Sequence, residues 1–202
     1  MTKKYELTGE TINHENRILH RIRALVGIPV MGVKAGDLGG FIESEKNLSQ
    51  EGSCWVWDEV KVYENAQVYE NAKVYDSARV FENARVSENA RVSENARVYG
   101  STKVFGNAQV FGNVRVFRSA QVFENARVYG SAQVFENARV YGSAQVYGSA
   151  RVFENAQVYG SAQVYGSARV FENAQVYGDS QIYGDAWVLG RAKVCGDQKI
   201  SS

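Results

Sequence analysis

From Val56 onward an aliphatic residue stands at every sixth position, and the series runs without a gap to Ile200. It is Val throughout except at Ile182 and Ile200. Four residues after each comes Ala, the exceptions being Val60, Thr102, Val114, Ser180 and Gln198. An aromatic residue, then Glu or Gly, then Asn or Ser fill most positions between. Self-similarity at a fixed short period is the mark of a solenoid. Helix is excluded, because a six-residue apolar repeat drifts around a 3.6-residue helix and gives no constant face.

One unit, Ala138-Arg139-Val140-Tyr141-Gly142-Ser143, shows how six residues can close. In an extended strand Ala and Val point to one side, Arg and Tyr to the other. Gly-Ser, Glu-Asn and Gly-Asn then break the alternation, and Gly and Asn tolerate the left-handed conformation of a sharp corner. Each hexad is therefore a short strand plus a corner, with Ala and Val inward.

The superperiod sets the number of strands per coil. Residues 134–151 and 152–169 differ only at Arg139 against Gln157. Phe-Glu-Asn recurs at 135, 153 and 171, and Tyr-Gly at 129, 147, 165 and 183, both at a spacing of eighteen. A shift of twenty-four lays Phe-Glu-Asn over Tyr-Gly-Ser. A twelve-residue identity (122–133 against 134–145) also exists and reads as duplication. The expectation is a triangular prism of about eight coils, a rod of about 40 Å at the strand spacing of ~4.8 Å.

An aliphatic residue followed four later by a small one, repeated from 56 to 197, resembles the left-handed parallel β-helix of the hexapeptide-repeat superfamily. The resemblance implies an all-β, single-stranded triangular solenoid. It also supplies the handedness, since the general rule for parallel crossovers favours the opposite hand.

Residues 1–47 carry no repeat and read as an N-terminal cap to a solenoid spanning 48–202. Lys4–Thr11 and Arg17–Val26 look like two strands around the polar turn Asn13-His14-Glu15-Asn16. Ile18, Leu19, Ile22, Leu25 and Val26 also make a helical stripe ended by Gly27. The hairpin is preferred because it can pair onto the first coil and cover its edge. The segments Val33–Ile42 and Leu48–Val56, leading straight into the hexads, resemble the N-terminal block of a group of bacterial and prophage hexapeptide-repeat proteins. Some members of that group are described as transferases on fold grounds alone. The resemblance implies a bacterial or phage source and brings no catalytic residue with it.

The best-known enzymes of the superfamily are acyltransferases, which use a histidine base in or near the solenoid and bind the acyl donor between subunits of a trimer. This chain has no His after His20 and no inserted loop between 56 and 201, where solenoids carry sites. His14 and His20 read as a turn residue and a strand residue. Cys54 and Cys195 have no neighbouring His in sequence, so neither reads as a nucleophile. No His/Cys spacing suggests a metal, and no Gly-x-Gly phosphate loop is present. No catalytic residue, metal ligand or cofactor is expected.

Net charge is +1 over 202 residues, so no global field favours nucleic acid or membrane. The start, MTKKYELTGE, has no apolar run of signal-peptide length, and no stretch approaches a membrane span. Cys54 and Cys195 lie near opposite ends of the rod, beyond the reach of a disulfide. A cytoplasmic, reducing location is the expectation.

What stands out is the outer surface. Three hexads per coil place Lys61, Arg79, Arg97, Arg115, Gln133, Arg151 and Arg169 in one column. Beside it runs Tyr63, Phe81, Tyr99, Phe117, Phe135, Phe153 and Phe171, with Glu64, Glu82, Glu136, Glu154 and Glu172 at the corner. Corner glutamates and rings are expected to offset the repulsion of stacked arginines through ion pairs and cation–π contact. The other faces carry Gln145, Gln163 and Gln181 beside Tyr147, Tyr165 and Tyr183, and Gln157 and Gln175 beside Tyr159 and Tyr177. Exposed strips of this kind mark interaction surfaces. The favoured reading is a non-catalytic scaffold that binds itself or a protein partner. The alternatives are an acyltransferase-like enzyme with an intersubunit site, and a glycan- or polyanion-binding module.

Overall fold

The computed structural model describes residues 3–201, and among these there is no α-helix. Each hexad forms one short strand, usually of two residues, such as Arg139–Val140. That strand pairs in parallel with Gln121–Val122 before it and Gln157–Val158 after it, each eighteen residues away. Three sheets therefore run the length of the rod. Face I runs from Lys61–Val62 to Trp187–Val188, face II from Gln67–Val68 to Lys193–Val194, and face III from Trp55–Val56 to Lys199–Ile200. The twelve-residue identity has no counterpart in the pairing. No helix among the described residues is long and apolar enough to cross a membrane.

The inward set is as the alternation requires. From Val56 to Val176 the Val and Ala positions have no exposed surface. Two exceptions to the Ala rule are polar and fully buried, and each is satisfied by its own corner. The Thr102 hydroxyl donates to the carbonyl of Tyr99 at 2.7 Å, and Ser180 to that of Tyr177 at 2.9 Å.

The rod holds nine turns, one more than the uninterrupted hexads suggest. Ile42 pairs with Val62 and Leu48 bridges Val68, so Ile42, Leu48 and Val56 form a first coil. The partners of Ile42 and Leu48 lie twenty residues away, because two extra residues enter between Leu48 and Val56, and Val56 resumes the spacing of eighteen with Val74. The clue in the sequence is the six-residue step from Ile42 to Leu48.

Each hexad corner turns on a left-handed residue directly after the outward residue, which is aromatic in most hexads, as in Gly148 (φ 69°) and Glu154 (φ 58°). A non-glycine residue there costs roughly 1–2 kcal/mol, yet many corners carry an acid. Several of these carboxylates reach one coil onward. Glu70 accepts the backbone N–H of Glu88 at 2.7 Å, Glu124 that of Gly142 at 2.8 Å, and Asp76 that of Glu94 at 3.1 Å. The acid thus satisfies a corner donor, and a charged acceptor makes the bond stronger than a neutral one. Glu154 makes no such bond among the described residues, and it sits between Glu136 and Glu172. Glu154→Gly should therefore stabilise the rod by about 1 kcal/mol, or about 2–4 °C in a melting experiment. Glu124→Gly should gain less, because it also loses the bond to Gly142.

At the N-terminus β1 (Tyr5–His14) and β2 (Arg17–Ala24) form an antiparallel hairpin. Its two-residue turn, Glu15-Asn16, has positive φ at both positions (51° and 61°). That is the backbone of a type I′ turn, whose twist matches the strands it joins. β2 pairs antiparallel with β3 (Leu38–Ile42), and β3 pairs in parallel with Lys61–Val62. The hairpin thus extends face I and covers its first edge, and the helical alternative is not taken. The helical stripe arises because β2 buries both of its faces. Ile22 and Ala24 join the main core, while Leu19 packs with Phe41 and Tyr63 on the other side. Ile18, at 59% exposed, stays in solvent.

Candidate interaction surface

In-register parallel strands repeat every outward position at the strand spacing, so like side chains stack. On face I the rings of Tyr63, Phe81, Tyr99, Phe117, Phe135, Phe153 and Phe171 lie 4.8–5.1 Å apart, and neighbouring planes differ by no more than 6°. Face II stacks Phe105, Phe123, Tyr141, Tyr159 and Tyr177 at 4.8–4.9 Å. Face III stacks Phe111, Tyr129, Tyr147, Tyr165 and Tyr183 at 4.8–5.3 Å. Ring pairs in such geometry contribute roughly 0.5–1.5 kcal/mol beyond their burial.

The basic column of face I is assembled as expected: Arg79 pairs in register with Arg97, Arg97 with Arg115, and Arg151 with Arg169, while Gln133 separates Arg115 from Arg151. Its neutralisation is not as expected. Arg79 lies 3.9 Å from Glu15 of the hairpin, and the Arg169 guanidinium sits 5.0 Å from the centre of the Trp187 ring. Among the described residues, Arg97, Arg115 and Arg151 make no ion pair within 4 Å. Two of the corner acids beside it are engaged elsewhere, Glu64 with Arg17 at 2.7 Å and Glu136 with Arg118.

On faces II and III the polar column serves the rings. Tyr129 donates to Gln145, Tyr141 to Gln157 and Tyr147 to Gln163, each at 3.2 Å. Burial, then the neighbouring phenols, push the pKa of Tyr147 up. Burial, then Tyr159, does the same for Tyr141. These phenols therefore stay protonated, as donors, throughout the neutral range.

The histidines lie in the hairpin. His14 packs edge-on against Tyr63, with ring centres 5.3 Å apart, and its Nε2 atom has no hydrogen-bond partner among the described residues. Burial, then the charge of Arg79, lowers its pKa. The Tyr63 hydroxyl donates to Glu15 at 3.3 Å, so the hairpin tip closes over the first rung of the face I ladder. His20 pairs across β2 and β3 with Ile42. Cys54 and Cys195 are both free. Lys4 is a feature that sequence reasoning missed. It is buried, and its ammonium donates to the carbonyls of Glu51, Gly52 and Cys54 and to the Cys54 thiol at 3.2 Å. It clamps the widened corner of the first coil. A single lysine outside the repeats carries no pattern that could have announced this.

Residues 108–122, 120–136, 132–148, 144–160 and 162–179 match the family model of the YdcK beta solenoid repeat. No curated protein matches the chain. The first four matched stretches start twelve residues apart and the last starts eighteen after the fourth, so they follow the hexad and not the coil. Those repeats and the stacked parallel coils together make this chain a hexapeptide-like β-helix repeat protein.

Proposed function

We propose that this protein is a non-catalytic interaction scaffold, a rigid rod that associates with further copies of itself through the distal half of face III. One observation carries the reading. From Gln145 to Tyr183 the outward positions of that face are only Gln and Tyr, with stacked rings, a hydrogen bond from Tyr147 to Gln163 and no charge among them. Such a face has little side-chain freedom to lose and no ion to desolvate when it docks. Face I is the poorer candidate for self-association, because its arginine column meets a second copy as like charge. The non-catalytic part of the reading rests on the histidines, both of which are absorbed in the hairpin. The N-terminal resemblance points to a bacterial or prophage source.

Light scattering on the full chain across a concentration series tests this. The expected mass is a multiple of the single chain, returning to one chain in Gln163→Arg/Gln181→Arg, which should still give the parent's circular dichroism spectrum. Gln133→Arg, on face I, should keep the parent mass. No acyl transfer from acetyl-CoA should be measurable. A single-chain mass at every concentration, a double variant that still assembles, or turnover abolished by His20→Ala would each contradict the proposal.

A further inference from the structure

Two of the three aromatic ladders lack one rung, and both gaps fall in the same coil. On face II Ser87 stands between Tyr69 and Phe105, and on face III Ser93 stands between Tyr75 and Phe111. Face I, with Phe81 in that coil, is continuous. The rings on either side of each gap are two strand spacings apart, about 9.6 Å. A flat ring placed midway would lie at the distance that separates rings throughout the ladders.

The Ser87 gap opens into a cavity of about 220 Å³ lined by Tyr69, Arg85, Ser87, Glu88, Lys103 and Phe105, so both bordering rings and the serine face it. The Ser93 gap has no such cavity: the nearby one of about 360 Å³ is lined by Trp57, Asp58, Lys73, Tyr75 and Arg91 and includes neither Ser93 nor Phe111. The Ser87 cavity is below the low end of the ~300–1,000 Å³ usual for drug-sized ligands, which suits a single ring system. It combines aromatic walls, two cations and one carboxylate. Among the described residues none of Arg85, Lys103, Lys73 and Arg91 has an ion-pair partner. Ser87 and Ser93 are 6% and 5% exposed, and neither hydroxyl makes a hydrogen bond within the described chain.

We propose that the Ser87 gap is a stacking site for the base of a nucleotide, with its phosphate held by the flanking cations. The base completes the ladder between Tyr69 and Phe105, the serine hydroxyl at the floor meets its edge, and Arg85 with Lys103 takes the negative charge. A neutral side chain from a protein partner would fill the gap but leave two cations unanswered. A sugar ring would leave them unanswered too. The nucleotide can be free or part of a single strand.

Titration calorimetry with the full chain, using AMP, a ten-residue oligodeoxyadenylate, inorganic phosphate and a phenylalanine amide, separates the cases. Ser87→Phe restores the missing rung and should weaken binding by at least about fivefold, the loss of one stacked base, while keeping or raising the melting temperature. Arg85→Gln/Lys103→Gln, which leaves the rings in place, should weaken binding at the Ser87 gap. AMP binding lost in the filled variant supports the proposal with a free nucleotide as source. Oligonucleotide binding alone, lost in the same variant, supports it with a single strand as source. Absence of binding by both AMP and the oligonucleotide overturns it. So does phosphate binding equal to AMP, preference for the phenylalanine amide, or binding that survives both the filled and the charge-removed variants.

Discussion

Val134→Asp should unfold the middle of the rod, and Gln133→Asp, one residue away, should not. Val134 is fully buried among Val and Ala in a core with no polar side chain within reach, so a carboxylate there has no partner. A loss of at least about 4 kcal/mol is expected, which is on the order of 10 °C or more in melting temperature. Gln133 points outward and lies in register between Arg115 and Arg151. A carboxylate there meets cations on both sides, so its effect should be small and on the stabilising side. Circular dichroism melts of the two variants check this directly. Equal shifts would show that the inward and outward sides have been exchanged.

The second large effect concerns length. Removing residues 152–169 takes out one coil and joins Arg151 to Val170, which keeps every face in phase because Arg151 and Arg169 are register partners. Removing only residues 152–157 also keeps the inward pattern, yet it rotates everything beyond it by one face. The arginine column of face I then meets the glutamine column of face II. Each coil buries three aliphatic and usually three Ala side chains, and three Val alone contribute roughly 5–9 kcal/mol of apolar burial. Neighbouring coils add ladder bonds and stacked rings, so both shortened rods should fold. Only the eighteen-residue deletion should preserve assembly, because only it leaves the Gln/Tyr surface of face III in register with the rest of that face. Light scattering on both variants, with circular dichroism as the control for folding, decides the matter. Assembly in the six-residue deletion and not in the eighteen-residue one would contradict the three-face assignment.

The solenoid was legible in the sequence because its rule is local and repeated: Val inward, Ala four later, a corner at every sixth residue. The columns of Arg, Phe, Tyr and Gln followed from the eighteen-residue superperiod without coordinates. The features that were not legible are those where contacts cross between repeats and the non-repeating segment. Lys4 finds its carbonyl acceptors almost fifty residues away. Glu15 and Arg17 reach from the hairpin tip to Tyr63, Arg79 and Glu64. The corner acids were visible, but not their partners. Proximity in the hexad suggests the arginine column, whereas the left-handed corner places several carboxylates against the backbone of the following coil. Sequence proximity could not rank a side-chain cation against an N–H donor eighteen residues on.

Everything proposed for the surface depends on residues eighteen apart being stacked neighbours. Pyrene labels report this directly, because their excimer forms only when two rings meet face to face. In a Cys195→Ser background, with Cys54 fully buried, labels go on cysteines at the exposed corner positions Ser149 and Ser167, or at Ser149 and Asn173. Labelled chain is diluted into unlabelled chain to suppress contacts between molecules. The pair eighteen apart should show strong excimer emission, and the pair twenty-four apart should emit as monomer. Excimer emission from the second pair and not the first would contradict the triangular coil and, with it, every column described above.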